Sequence, residues 1–188
     1  MKSAGWLAPA ILLGLAAVAA PRPAAAQFLP LLPSLGLGVH GGAFSASDGN
    51  SGGFGGAHVR LRLLPFLGLE ASVDVREASY AQDVTVLQVP AQLSALLYLL
   101  PAGPLQLYVA GGIGYYYQRV ELKGADSRTS DEVGYHGGAG VDLPLGFGWV
   151  LNADARYDAL NRKVEARPGQ ELGTGGWQVR GGITYYFW

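Results

Sequence analysis

The stretch Leu67-Gly68-Leu69-Glu70-Ala71-Ser72-Val73-Asp74-Val75-Arg76 alternates without a break. Leu67, Leu69, Ala71, Val73 and Val75 fall on one side of an extended chain, and Gly68, Glu70, Ser72, Asp74 and Arg76 on the other. Successive side chains of a β-strand point to opposite faces, so this stretch is a strand with one apolar and one polar face. Ala57, Val59, Leu61 and Leu63 repeat the pattern against His58, Arg60 and Arg62. Trp149, Leu151, Ala153, Ala155 and Tyr157 repeat it against Val150, Asn152, Asp154, Arg156 and Asp158.

Carried along the chain, the period predicts eight strands: 35–45, 54–64, 66–76, 84–100, 104–121, 132–143, 147–159 and 176–188. The connections alternate in length. Pro65, Pro101-Ala102-Gly103-Pro104 and Pro144-Leu145-Gly146 make tight turns, where Pro and Gly suit the backbone. The connections 45–53, 77–83, 122–131 and 160–175 are longer and polar. Short turns at one end and long loops at the other mark an all-β, eight-stranded, antiparallel up-and-down transmembrane β-barrel. An even number of strands puts both ends of the barrel on the short-turn side, the periplasm.

Period alone does not say which face looks inward. A soluble lipocalin-like barrel turns its apolar face in; a membrane barrel turns it out to lipid. Two features favour lipid outside. The polar face gathers His58, Arg60, Arg62, Glu70, Asp74, Arg76, Asp142, Asn152, Asp154 and Arg156, whose charges suit a shared lumen network. Aromatics collect at strand ends on the apolar face: Tyr117, Tyr135, Tyr157 and Trp177 towards the long loops, Phe66, Phe147, Trp149 and Phe187 towards the short turns. Two such girdles match the two interfaces of a bilayer. The inward-facing Gly112, Gly114, Gly138 and Gly140 are expected to leave room for Arg side chains from across the barrel.

A helical alternative covers residues 84–118, which carry no charge. Pro90, Pro101 and Pro104 interrupt it, and Gly111-Gly112-Ile113-Gly114 is a poor helix. No uninterrupted piece reaches the roughly 20 residues that a spanning helix needs. Pro90 then lies inside a strand with no free edge, and a bulge is expected there.

The rest of the 188 residues agrees with this class. There is no Cys, hence no disulfide or thiolate chemistry. Charge is sparse, at 14%, with 13 Lys and Arg against 14 Asp and Glu, which argues against a nucleic-acid partner. A hydrophobic content of 49% excludes a disordered chain. Residues 1–26 read as a signal peptide: Lys2, an apolar stretch over 7–20, a break at Pro21-Arg22-Pro23 and small residues at Ala24-Ala25-Ala26. Cleavage removes Lys2 and Arg22, leaving eleven basic against fourteen acidic residues and a net charge of −3. Residues 27–34, with Pro30 and Pro33, form an extended periplasmic lead-in, and the barrel occupies 35–188.

Several segments resemble the small outer-membrane β-barrel family, the OmpA/OmpX/OmpW-like eight-stranded proteins with a porin-family barrel domain. They are Leu87-Gln88-Val89-Pro90-Ala91-Gln92-Leu93, Tyr108-Val109-Ala110-Gly111-Gly112-Ile113-Gly114-Tyr115, Tyr135-His136-Gly137-Gly138-Ala139-Gly140-Val141-Asp142 and Leu151-Asn152-Ala153-Asp154-Ala155-Arg156-Tyr157. The resemblance spans 35–188. It implies the outer membrane of a Gram-negative-type bacterium and recognition of the last strand by the barrel assembly machinery. Family members end in an aromatic on the apolar face; here Phe187 holds that parity and Trp188 falls one residue beyond it.

Motifs that carry chemistry elsewhere lack their context here. Gly36-x-Gly38-x-x-Gly41 spells a dinucleotide fingerprint but has no following helix. His40, His58 and His136 all face inward, on strands one, two and six, and are expected to be hydrogen-bonding residues rather than metal ligands. Some eight-stranded outer-membrane proteins are lipid A deacylases with a His-x-Ser pair; the residues two beyond these histidines are Gly42, Arg60 and Gly138. Glu70 and Asp74 share a face with Arg60, Arg62 and Arg76, which suits ion pairing more than acid catalysis. The sequence therefore predicts a structural barrel with a filled polar lumen, serving envelope integrity or loop-mediated interaction. It is expected to be a monomer in outer-membrane lipid, without catalysis, cofactor or metal, and with no further domain after the barrel. A narrow pore for ions or small solutes is the alternative, and a lipid-modifying enzyme the third.

Overall fold

The computed structural model describes residues 33–47, 51–79, 84–122, 128–160, 164–167, 170–172 and 175–187. Among the described residues ten strands follow one another: β1 (Ser34–Ala46), β2 (Ser51–Leu64), β3 (Leu67–Ser79), β4 (Val84–Tyr98), β5 (Gln106–Leu122), β6 (Arg128–Gly146), β7 (Trp149–Leu160), β8 (Val164–Arg167), β9 (Gln170–Leu172) and β10 (Gly176–Phe187). Eight close into an antiparallel barrel in the order β1-β10-β7-β6-β5-β4-β3-β2. The short β8 and β9 form a separate hairpin in the seventh connection, where the sequence reading expected only a loop.

The barrel is inside out relative to a protein in water. Among the described residues, the buried set is dominated by Arg, Glu, Asp, Gln and His, while Leu, Val, Ile and most aromatics are exposed. The alternation at 67–76 resolves this way: Leu69 and Val73 look out, Glu70 and Asp74 look in. Apolar side chains favour burial, so their outward display along whole strands requires a lipid surround.

Residues 84–98 and 106–122 are strands, so the helical alternative falls. Pro90 produces no register shift. β4 pairs with β5 without a gap through Pro90 opposite Tyr116. Against β3, the pairs on either side, Val73 with Ala91 and Arg76 with Gln88, keep one register, and only the positions between are unpaired. The missing donor of proline is thus lost on the β3 side alone. The third short turn is shifted from its expected place: β6 runs to Gly146 and β7 begins at Trp149, leaving Phe147 and Gly148 as the connection.

Candidate functional site: the polar lumen

Strand order fixes which walls face each other. In a ring of eight, β2 is opposite β6 and β3 is opposite β7. An eight-stranded barrel has an interior just wide enough for side chains to fill. Long polar side chains from opposite walls therefore meet.

They meet three times. Arg60 on β2 donates from Nη1 to Asp142 on β6 at 3.0 Å. Arg156 on β7 donates from Nη2 to Glu70 Oε1 on β3 at 2.8 Å. Arg76 on β3 donates from Nη1 to Asp158 Oδ2 on β7 at 2.7 Å. Each bond spans the full bore. Further charge-assisted bonds complete the cluster. Arg60 Nε donates to Glu70 Oε2 at 3.0 Å, and Arg180 on β10 donates to Asp154 at 2.8 Å and to Glu70 Oε1 at 2.6 Å. Glu70 thus receives three guanidinium groups. Tyr98 and Tyr108 donate their hydroxyls to Asp142 and Asp154. An isolated charge in such a place is heavily penalised, and every member here has a counter-charge or a charge-assisted hydrogen bond.

A second relay runs from Asn152 and Thr184, near the short-turn ends of β7 and β10, to Asp74 on β3. Asn152 Nδ2 donates to Thr184 Oγ1 at 2.7 Å. Thr184 Oγ1 lies 2.8 Å from His58 Nε2, His58 Nδ1 lies 3.0 Å from His40 Nδ1, and His40 Nε2 lies 2.5 Å from Asp74 Oδ1. With both rings neutral only one direction satisfies every atom. In that tautomeric state the Thr184 hydroxyl donates to His58, His58 donates from Nδ1 to His40, and His40 donates from Nε2 to the Asp74 carboxylate. His136 is engaged separately, with Ser94 Oγ. Among the described residues, no cluster of three or more His, Cys, Asp or Glu is arranged to hold a metal ion.

All ten lumen residues singled out in the sequence are buried: His58, Arg60, Arg62, Glu70, Asp74, Arg76, Asp142, Asn152, Asp154 and Arg156. Nine take part in the clusters above. Arg62 stands apart with neutral partners, Gln106 Oε1 and the Pro65 carbonyl, and its guanidinium lies 3.7 Å from the centre of the Tyr98 ring. The girdle residues Phe66, Tyr117, Tyr135, Phe147, Trp149, Tyr157, Trp177 and Phe187 are all exposed. Tyr157 packs on Trp177 and Trp149 on Tyr185.

Sequence reasoning missed Arg180, Asp158 and the interior tyrosines. Arg180 and Asp158 were marked by parity, since each shares the inward face of its strand. Tyr98, Tyr108 and Tyr116 sit in a charge-free stretch and carry no such label. One expectation is corrected. The space beside the inward glycines is filled by neighbours, not by Arg from across: a Cβ on Gly140 would meet Tyr108 and Asp154, and one on Gly114 would meet the Tyr116 ring.

A family model described as the outer membrane protein beta-barrel domain matches residues 10–187. The chain belongs to this outer-membrane β-barrel family. It is an outer-membrane, transmembrane barrel protein of that family. No curated protein matches it. Among solved structures it is similar to the outer membrane protein OprG of Pseudomonas aeruginosa, with a TM-score of 0.63, 14% identity, and 82% and 95% of the two chains covered. It is similar also to Neisserial surface protein A, with a TM-score of 0.60, 17% identity, and coverage of 82% and 97%. The N-terminal barrel domain of Pseudomonas aeruginosa OprF matches with a TM-score of 0.59, 16% identity, and coverage of 82% and 97%. These likenesses show the shared fold.

Proposed function

We propose that this outer-membrane barrel is a structural protein whose lumen is closed by its own side chains. Its roles in this reading are envelope integrity and interactions made through the long polar loops. The observation that carries it is the set of three ion pairs that span the bore between opposite walls: Arg60 with Asp142, Arg156 with Glu70, and Arg76 with Asp158. A solute would have to part such pairs to pass, leaving buried charges without their partners, which is heavily penalised. Cleavage after residue 26, assembly through the last strand by the barrel assembly machinery, and a monomeric state in lipid belong to the same reading.

The test is solute uptake. Liposomes carrying the refolded protein are transferred into isosmotic solutions of small sugars and amino acids, and swelling is followed by light scattering. The reading expects the rate of protein-free liposomes. Swelling that scales with protein content and falls with solute size would replace it with the pore reading.

A further inference from the structure

The three short turns are apolar throughout. Residues 64–67, 99–105 and 145–148 contain only Leu, Pro, Phe, Ala and Gly. Their large side chains are displayed: Phe66 is 50% exposed, Leu99 57% and Phe147 95%. Turns that face water normally carry Asn, Asp or Ser.

Phe147 is the sharpest case. It forms a two-residue connection with Gly148, and the φ angles of Gly146, Phe147 and Gly148 are +94°, +54° and +84°. Positive φ at both central residues suits Asn-Gly or Asp-Gly. A bulky residue in that conformation is a true outlier. The chain therefore places Phe where the backbone disfavours it, and then leaves its ring uncovered. None of the described residues covers it.

The two ends of the barrel differ in the same sense. At the long-loop end, β5 and β6 continue past Tyr117 and Tyr135 with Arg119, Asp131 and Glu132. At the short-turn end the described strands stop at the girdle itself: Trp149 opens β7 directly after the turn, and Phe187 is the last residue of β10. Three turn carbonyls are also satisfied from within. Pro65 O accepts from Arg62, Phe66 O from the Tyr98 amide at 2.9 Å and Gly148 O from the Tyr186 amide at 2.8 Å. Backbone groups at membrane depth must be bonded internally.

We infer that the short-turn rim is a lipid-embedded collar. The turns at Phe66, Leu99-Leu100 and Phe147 sit in the boundary between headgroups and acyl chains of the leaflet on that side, instead of projecting into water. The occupant is bilayer lipid, because the collar is continuous with the apolar outer face of the strands. Phe147 anchors the barrel's depth at that end.

The absence of Cys makes the test direct. Single variants Phe147→Cys and Leu100→Cys carry a nitroxide and are refolded into phosphatidylcholine vesicles. Val73→Cys serves as the lipid-face reference and Ser51→Cys as the loop-end reference. Power saturation compares access of oxygen, which partitions into lipid, with that of a water-soluble nickel chelate. The collar expects labels at 147 and 100 to favour oxygen, as at 73. Nickel-dominated access at both, as at 51, would overturn it. Should the label at 147 prevent folding, the reading at 100 decides.

Discussion

Arg156 and Glu70 stand on opposite walls of the barrel, β7 and β3, and meet at 2.8 Å with both side chains fully buried. Glu70 is the point where the charges of three other strands converge, because Arg60 and Arg180 reach the same carboxylate. Removing it leaves three guanidinium groups sharing Asp142 and Asp154. Glu70→Ala should therefore destabilise the barrel by about 3–5 kcal/mol. Urea unfolding in lipid, followed by the gel shift between folded and unfolded forms, gives the value. Ser72→Ala is the control, since Ser72 Oγ is buried without a hydrogen-bond partner. That change should cost little, and equal losses for the two would mean that charge convergence contributes nothing.

Adjacent glycines on β5 test the facing of the strand. A Cβ on Gly112 would strike the backbone carbonyl of Leu93, whereas one on Gly111 has only His136 O, at 3.8 Å. Gly112→Ala should cost about 1–3 kcal/mol, the usual range for overpacking. Gly111→Ala should lie within about 0.5 kcal/mol of the wild type, as surface changes do. The same unfolding titration measures both.

The lipid face is tested at Ala153, which is exposed and lies midway between Trp149 and Tyr157 on β7. Ala153→Arg should cost about 2–4 kcal/mol if it sits at the bilayer midplane, with a smaller cost nearer the interfaces. Val73→Arg on the opposite wall should behave alike. Refolding yields in lipid that match the wild type for both would remove lipid from that face.

Much of this arrangement was legible because a strand reports its facing by parity. The period at 67–76 separates Glu70 and Asp74 from Leu69 and Val73, and the structure keeps that division residue for residue. Parity says nothing of how far one strand slides against another. The opposition of Arg60 to Asp142 therefore had to come from closure of the ring. Tyrosine defeats parity reading by composition, since Tyr108 fills the interior while Tyr157 belongs to the girdle. Phe147 was assigned to that girdle too, and its exposure is shared; its left-handed backbone was hidden because nothing in Gly146-Phe147-Gly148 announces which residue takes the strain. Pro90 suggested a bulge because its missing donor was counted against both neighbours, when only β3 loses it.

Topology follows from the alternation of turn lengths. Protease added to intact cells should cut only within 45–53, 77–83, 122–131 or 160–175. Mass spectrometry of the released peptides locates the sites. A cut at Ala102 or Gly103 in intact cells would invert the orientation.

The central claim, a lumen closed by its own ion pairs, is tested most directly by planar-bilayer recording of the refolded wild type beside Glu70→Ala. The wild type should show no steady conductance above the bare membrane, because Arg60–Asp142, Arg156–Glu70 and Arg76–Asp158 each cross the bore. A stable, ion-selective open level in the wild type would contradict the account and make the chain a pore.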